Sequence, residues 1–253
     1  MQSSNPVLSR LGEAERVEGQ VLGVRPVTRP MTVDDVVVRT VGLLVVTGAF
    51  AALSWLTIRG GAGVGLAVIG SSIAGLVLAL VISFRRITNP LVIGAYAVLE
   101  GLLLGVVSRA FEDLYPGIVI QAVVGTFGVF LGMAILYRAG IIRATPRFTR
   151  FVIGALIGVV ALSLVNLIAY WISGAQAIEV YTQNGRVGWL PIVFSLVCIG
   201  VGALTFILDF DAVEQGIRHG LPERYAWYCA FGLLVGLIYL YWQILRLLSY
   251  LRR

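Results

Sequence analysis

Seven runs of apolar residues, at 41–58, 64–84, 91–108, 118–137, 151–172, 189–208 and 225–248, alternate with short stretches rich in Arg, Gly, Pro and acidic residues. Each run holds about 18–24 residues, enough at 1.5 Å rise per residue to cross a hydrocarbon core of about 30 Å. The pattern predicts an all-α, polytopic membrane protein, a bundle of seven transmembrane helices over residues 31–253. Residues 1–30 mix Arg10, Glu13, Glu15, Arg16 and Glu18 with Pro6, Pro26 and Pro30. Such a segment has nothing to bury, so a flexible tail is expected. The first apolar run starts too far into the chain for a cleavable leader. Thr32, with Asp35 three positions on, reads as a capping box with Asp in place of Glu, opening the first helix.

Composition removes the soluble alternative. The chain of 253 residues is 58% apolar and 13% charged, with mean hydropathy +0.93, whereas soluble domains carry about 25% charged residues. All 19 basic residues are Arg. A pI near 9.7 admits an anionic partner, but Arg in membrane loops more simply sets topology, and no nucleic acid is expected. With seven spans, the N-terminal tail and the second, fourth and sixth loops share one face. That face carries Arg85, Arg86, Arg138, Arg143, Arg147, Arg150, Arg218 and Arg224, so the N-terminus is expected in the cytosol and the C-terminus outside. Cys198 and Cys229 fall inside spans and read as small hydrophobes, with no disulfide or metal site. Gly101 and Gly105, Gly128 and Gly132, Gly154 and Gly158, and Gly232 and Gly236 recur at the spacing that lets helices approach closely in lipid.

Glu100 is the outlier of this pattern, an acid in the middle of the apolar stretch 91–107. A carboxylate at such depth costs about 3 kcal/mol on insertion scales unless it faces a polar cavity or partner, so it is expected to face the bundle interior. The densest polar group, Asp209-Phe210-Asp211-Ala212-Val213-Glu214, sits where the sixth run ends. On a helix Asp211 and Glu214 share a face and Asp209 points elsewhere. Asp209 at a bundle mouth suits transient binding of a hard cation such as calcium, or titration; the plainer reading is a solvated acidic loop start. Arg85 and Arg86 end the second run on the same face, and a contact with Asp209 would form a latch that loosens when the acid is protonated. Glu223, in the following loop, is expected to be a bystander. Asn166 in the fifth run reads as helix–helix glue or a partner of Glu100. The one histidine, His219, lies in a loop. With no His in any span and no Lys for a phosphate-binding loop, no catalytic constellation forms, and the protein is not expected to be an enzyme or to need a cofactor.

Residues 95–101 (Ala-Tyr-Ala-Val-Leu-Glu-Gly), 111–122 (Phe-Glu-Asp-Leu-Tyr-Pro-Gly-Ile-Val-Ile-Gln-Ala), Leu136-Tyr137-Arg138, Leu208-Asp209-Phe210-Asp211 with Glu214 and Gly216, and 227–233 (Trp-Tyr-Cys-Ala-Phe-Gly-Leu) together resemble the bacterial, YccA-like branch of the Bax inhibitor-1 family. The resemblance implies a seven-helix bundle with a central last helix in the bacterial inner membrane, acting as a pH-sensitive calcium leak. It also implies a sensor made of two aspartates, the first falling on Asp209. The second falls on Gly236, and residues 225–253 contain no acid, so either Glu100 or Asp211 stands in as partner, or the protein lacks the pair and conducts differently, if it conducts. The alternative is a protein without transport that modulates a membrane protease or stress pathway. The two differ in whether Glu100 and Asp209 line one continuous polar path.

Overall fold

A computed structural model describes residues 29–58, 62–173 and 188–252. Among them are seven helices: α1 (Val33–Thr57), α2 (Ala62–Arg85), α3 (Pro90–Leu114), α4 (Ile118–Arg138), α5 (Pro146–Ser173), α6 (Trp189–Arg218) and α7 (Tyr225–Leu251). All seven are long and apolar enough to cross a membrane. Large apolar side chains such as Leu56, Leu76, Ile120, Ile157 and Leu196 stand exposed on their outer faces, which suits lipid and not water.

The helix ends follow from local chemistry. Thr32 caps α1: its Oγ1 accepts from the Asp35 N–H at 3.3 Å, and Asp35 Oδ2 accepts from the Thr32 N–H at 2.9 Å. Asn89 caps α3 ahead of Pro90, a residue preorganised for a first helical turn. Between α3 and α4, Glu112 accepts from the N–H groups of Gly117 at 2.5 Å and Val119 at 3.1 Å, closing a turn in which Gly117 takes φ 81°. At the end of α2, Arg86 adopts φ 48° and the Ile87 N–H reaches back to the Ile82 carbonyl at 3.2 Å, a left-handed helix stop usually given to Gly.

α3 and α6 run well past the C-terminal ends of the apolar stretches that announce them. α3 continues to Leu114 and α6 to Arg218, so Asp209, Asp211 and Glu214 lie within a helix and not in a loop. A backbone ladder needs no apolar side chains once it leaves hydrocarbon.

α7 is the central element. It packs against α1, α3, α4 and α6, and 56% of its span is buried, more than for any other helix. Ala230, Leu234, Leu237 and Leu240 sit in the core it organises. α1 and α3 approach most closely, because Gly101 and Gly105 face the α1 backbone at Thr47 and Ala51. Gly128, Gly132, Gly154, Gly158 and Gly232 face open space, so of the small-residue pairs only the one on α3 works as a helix contact. α5 packs on α6, which places the buried Asn166 away from Glu100.

The chain ahead of α1 is tied to the α6–α7 turn. The Met31 N–H donates to the Leu221 carbonyl at 2.8 Å and the Glu223 N–H to the Arg29 carbonyl at 2.9 Å, forming an antiparallel bridge between Pro30 and Pro222. Met31 is buried against Gly216 and Leu221.

Candidate functional site

Asp209 lies on α6, nine residues before Arg218, or about 13 Å inside the helix end. It is half-buried in the seam between α6 and α7, with Cys229 of α7 among its electrostatic neighbours. Among the described residues its carboxylate has no ion pair and no hydrogen-bond donor.

The wall beside it is aromatic. Phe206 and Phe210, one turn apart on α6, meet Phe130 and Tyr137 of α4. Ring centroids are 5.1 Å apart for Phe130–Phe206, 5.6 Å for Phe130–Phe210 and 5.7 Å for Tyr137–Phe210. Phe206 is fully buried against Gly236 of α7. A Cβ added at Gly236 would come within 2.9 Å of the Phe206 ring. The position implied for a second aspartate is therefore closed by an aromatic side chain, and glycine is what lets the ring in.

The expected latch is not made. Arg85 and Arg86 are exposed, and α2 packs along α3, with no α2–α6 contact. From α7, the Tyr228 hydroxyl reaches the Ser83 carbonyl at 3.4 Å, so it is α7 that meets this end of α2. Asp211 is taken up by its own helix, accepting from Gln215 Nε2 at 2.5 Å. It is not a partner of Asp209. Glu214 accepts from the Tyr137 hydroxyl and from Arg218, tying α6 to the end of α4.

Glu100 sits in the α2–α3 interface. Its Oε1 lies 3.0 Å from the place a Gly75 Cβ would take, and the Tyr96 hydroxyl, one turn earlier, is its hydrogen-bonding neighbour. Tyr96 in turn meets the Phe231 ring edge-on at 5.1 Å. α3 and α6 share no contact, and α7 stands between them. Glu100 and Asp209 thus lie in different interfaces, on helices that share no contact, with α7 and its buried apolar side chains between them.

A contact that sequence reasoning missed lies at the α6–α7 turn. Arg39 of α1 pairs with the Glu223 carboxylate and donates to its carbonyl, while its guanidinium lies 5.2 Å from the Trp227 ring. Glu223 is no bystander. The partners are 184 positions apart, so spacing along the chain gives no signal; the cue available was Arg39 between the apolar residues Val36–Val38 and Val41 of α1.

These features define a class: a multi-pass membrane bundle built around a buried last helix, with one unpartnered carboxylate and one tyrosine-shielded carboxylate at depth. The chain belongs to the Bax inhibitor 1-like family, whose model matches residues 5–253. It is also similar to an uncharacterized protein of Chlamydia muridarum (strain MoPn / Nigg), 23% identical over 177 residues, covering 65% of this chain and 68% of that one.

Proposed function

We propose that the protein is a pH-sensitive cation leak of the bacterial inner membrane, with calcium as the transported ion and Asp209 as its gate and transient ligand. The N-terminus would lie in the cytosol and the C-terminus outside. No catalysis and no bound cofactor enter this reading. The observation that carries it is Asp209 itself, a carboxylate held in the α6–α7 seam beside the Phe206–Phe210 wall, with no ion pair and no hydrogen-bond donor among the described residues. An apolar seam accommodates the neutral acid; a carboxylate requires water or a cation. Deprotonation therefore favours a hydrated, open seam, and flux rises with pH. An Arg latch would give the opposite sign, but Arg85 and Arg86 are not its neighbours. The arrangement described is then the closed form. Purified protein in proteoliposomes should pass calcium faster at alkaline than at acidic pH, and Asp209→Asn, fixed in the neutral form, should stay slow throughout. Flux that falls as pH rises would refute this gate.

A second reading, a protein without transport that modulates a membrane protease or stress pathway, is favoured by the apolar wall that α7 places between Glu100 and Asp209. Absence of flux at every pH, with protein folded, would select it.

A further inference from the structure

A cleft of about 520 Å³ opens beside α7, lined by α1, α3 and α4. α1 and α4 share no contact, and Leu56, Val123 and Phe127 line the cleft while remaining exposed. It therefore opens sideways, between two membrane-spanning helices, where the surroundings are lipid. Four hydroxyl-bearing residues line it, and each hydroxyl is engaged within the protein. Thr47 donates to the Leu43 carbonyl at 2.9 Å, Thr126 to the Ala122 carbonyl at 2.7 Å, and Ser108 and Tyr241 bond each other at 2.6 Å. A water needs two to four polar partners to reside in such a space, and this lining offers few. The cleft is not an ion path. Along α1 it runs from Leu44 to Leu56, about 18 Å at 1.5 Å per residue, close to the depth of one leaflet in a core about 30 Å thick.

At the end marked by Trp55 and Leu56 stands Arg109. It donates to the Trp55 carbonyl and lies 3.8 Å from Asp113, itself largely exposed. A guanidinium has five donors, so this loose pairing leaves capacity for an anion. An apolar slot of one leaflet's length with a cation at its boundary end complements one molecule of the surrounding bilayer. We propose that this cleft is a lipid site, holding one acyl chain of a membrane phospholipid with its phosphate at Arg109.

The test uses Trp55 as reporter in the full chain, with Trp171, Trp189, Trp227 and Trp242 changed to Phe. The protein in detergent micelles is titrated with phospholipid brominated on its acyl chains. Trp55 emission should be quenched in a saturable phase at low lipid content. Gly48→Phe should abolish that phase, since a side chain at Gly48 meets nothing within 4 Å and would fill the slot. Arg109→Gln should move the midpoint about tenfold higher, the equivalent of one charge-assisted hydrogen bond. Quenching that is unsaturable and identical in the parent and Gly48→Phe overturns the site. Should Gly48→Phe not fold, native mass spectrometry of the unmodified chain decides: one retained phospholipid mass supports the site, and a bare chain alone overturns it.

Discussion

Asp209 and Glu100 meet the cost of a carboxylate at depth in different ways. Glu100 shares its position with the Tyr96 hydroxyl and the backbone gap left by Gly75, a local arrangement that holds the acid in place. Asp209 has no comparable partner among the described residues, which is why the gate is assigned to it. The aromatic packing opposite Gly236 gives a test independent of transport. Gly236→Asp, which restores the acid the family pattern implies, should lower stability by about 1–3 kcal/mol, the usual range for overpacking a filled core. Adding Phe206→Ala should recover part of that loss, read as the melting temperature in detergent; a full-length Gly236→Asp protein as stable as the parent would contradict the packing. The sequence made Asp209, Glu100 and the missing acid at position 236 visible. It could not show that Phe206 fills the vacancy, because that depends on the facing of two helices packed side by side.

At the scale of elements, the segment before α1 and the α6–α7 turn form one unit, joined by the Pro30–Pro222 bridge and by Arg39 with Glu223 and Trp227. The Arg39 side chain is 14% exposed and Glu223 40%, so the pair is worth more than a surface contact and less than a buried one. Arg39→Ala should cost about 2 kcal/mol, the scale of a hydrogen bond to a charged group, and should increase amide exchange at Met31, Leu221 and Glu223. Unchanged exchange there would show that the ion pair is dispensable. A second element-scale expectation concerns the α2 stop: Arg86→Gly should raise stability by about 1 kcal/mol, because glycine removes the strain of a side chain at positive φ. A loss of stability would mean that the Arg86 side chain does something the turn alone does not require. Helix number and the α1 cap were legible, since apolar length and the Thr32–Asp35 spacing are local properties. Helix ends were less so, and the neighbours of α2 not at all: nothing in its sequence says that it lies along α3 and away from α6.

For the whole molecule, the span count and Arg asymmetry predict that reporter fusions after Arg86 and after Arg147 both read cytosolic; a periplasmic signal at either would reverse the orientation. The placement of α7 between the two acids gives the bundle two separate polar positions and one aromatic barrier, and the gating account rests on the seam at Asp209 alone. Its most direct test is calcium flux into proteoliposomes across a pH series, comparing the parent with Asp209→Asn at equal protein density. The account predicts flux that rises with pH in the parent and a low, pH-independent flux in Asp209→Asn. A pH-dependent flux that Asp209→Asn leaves unchanged would contradict it.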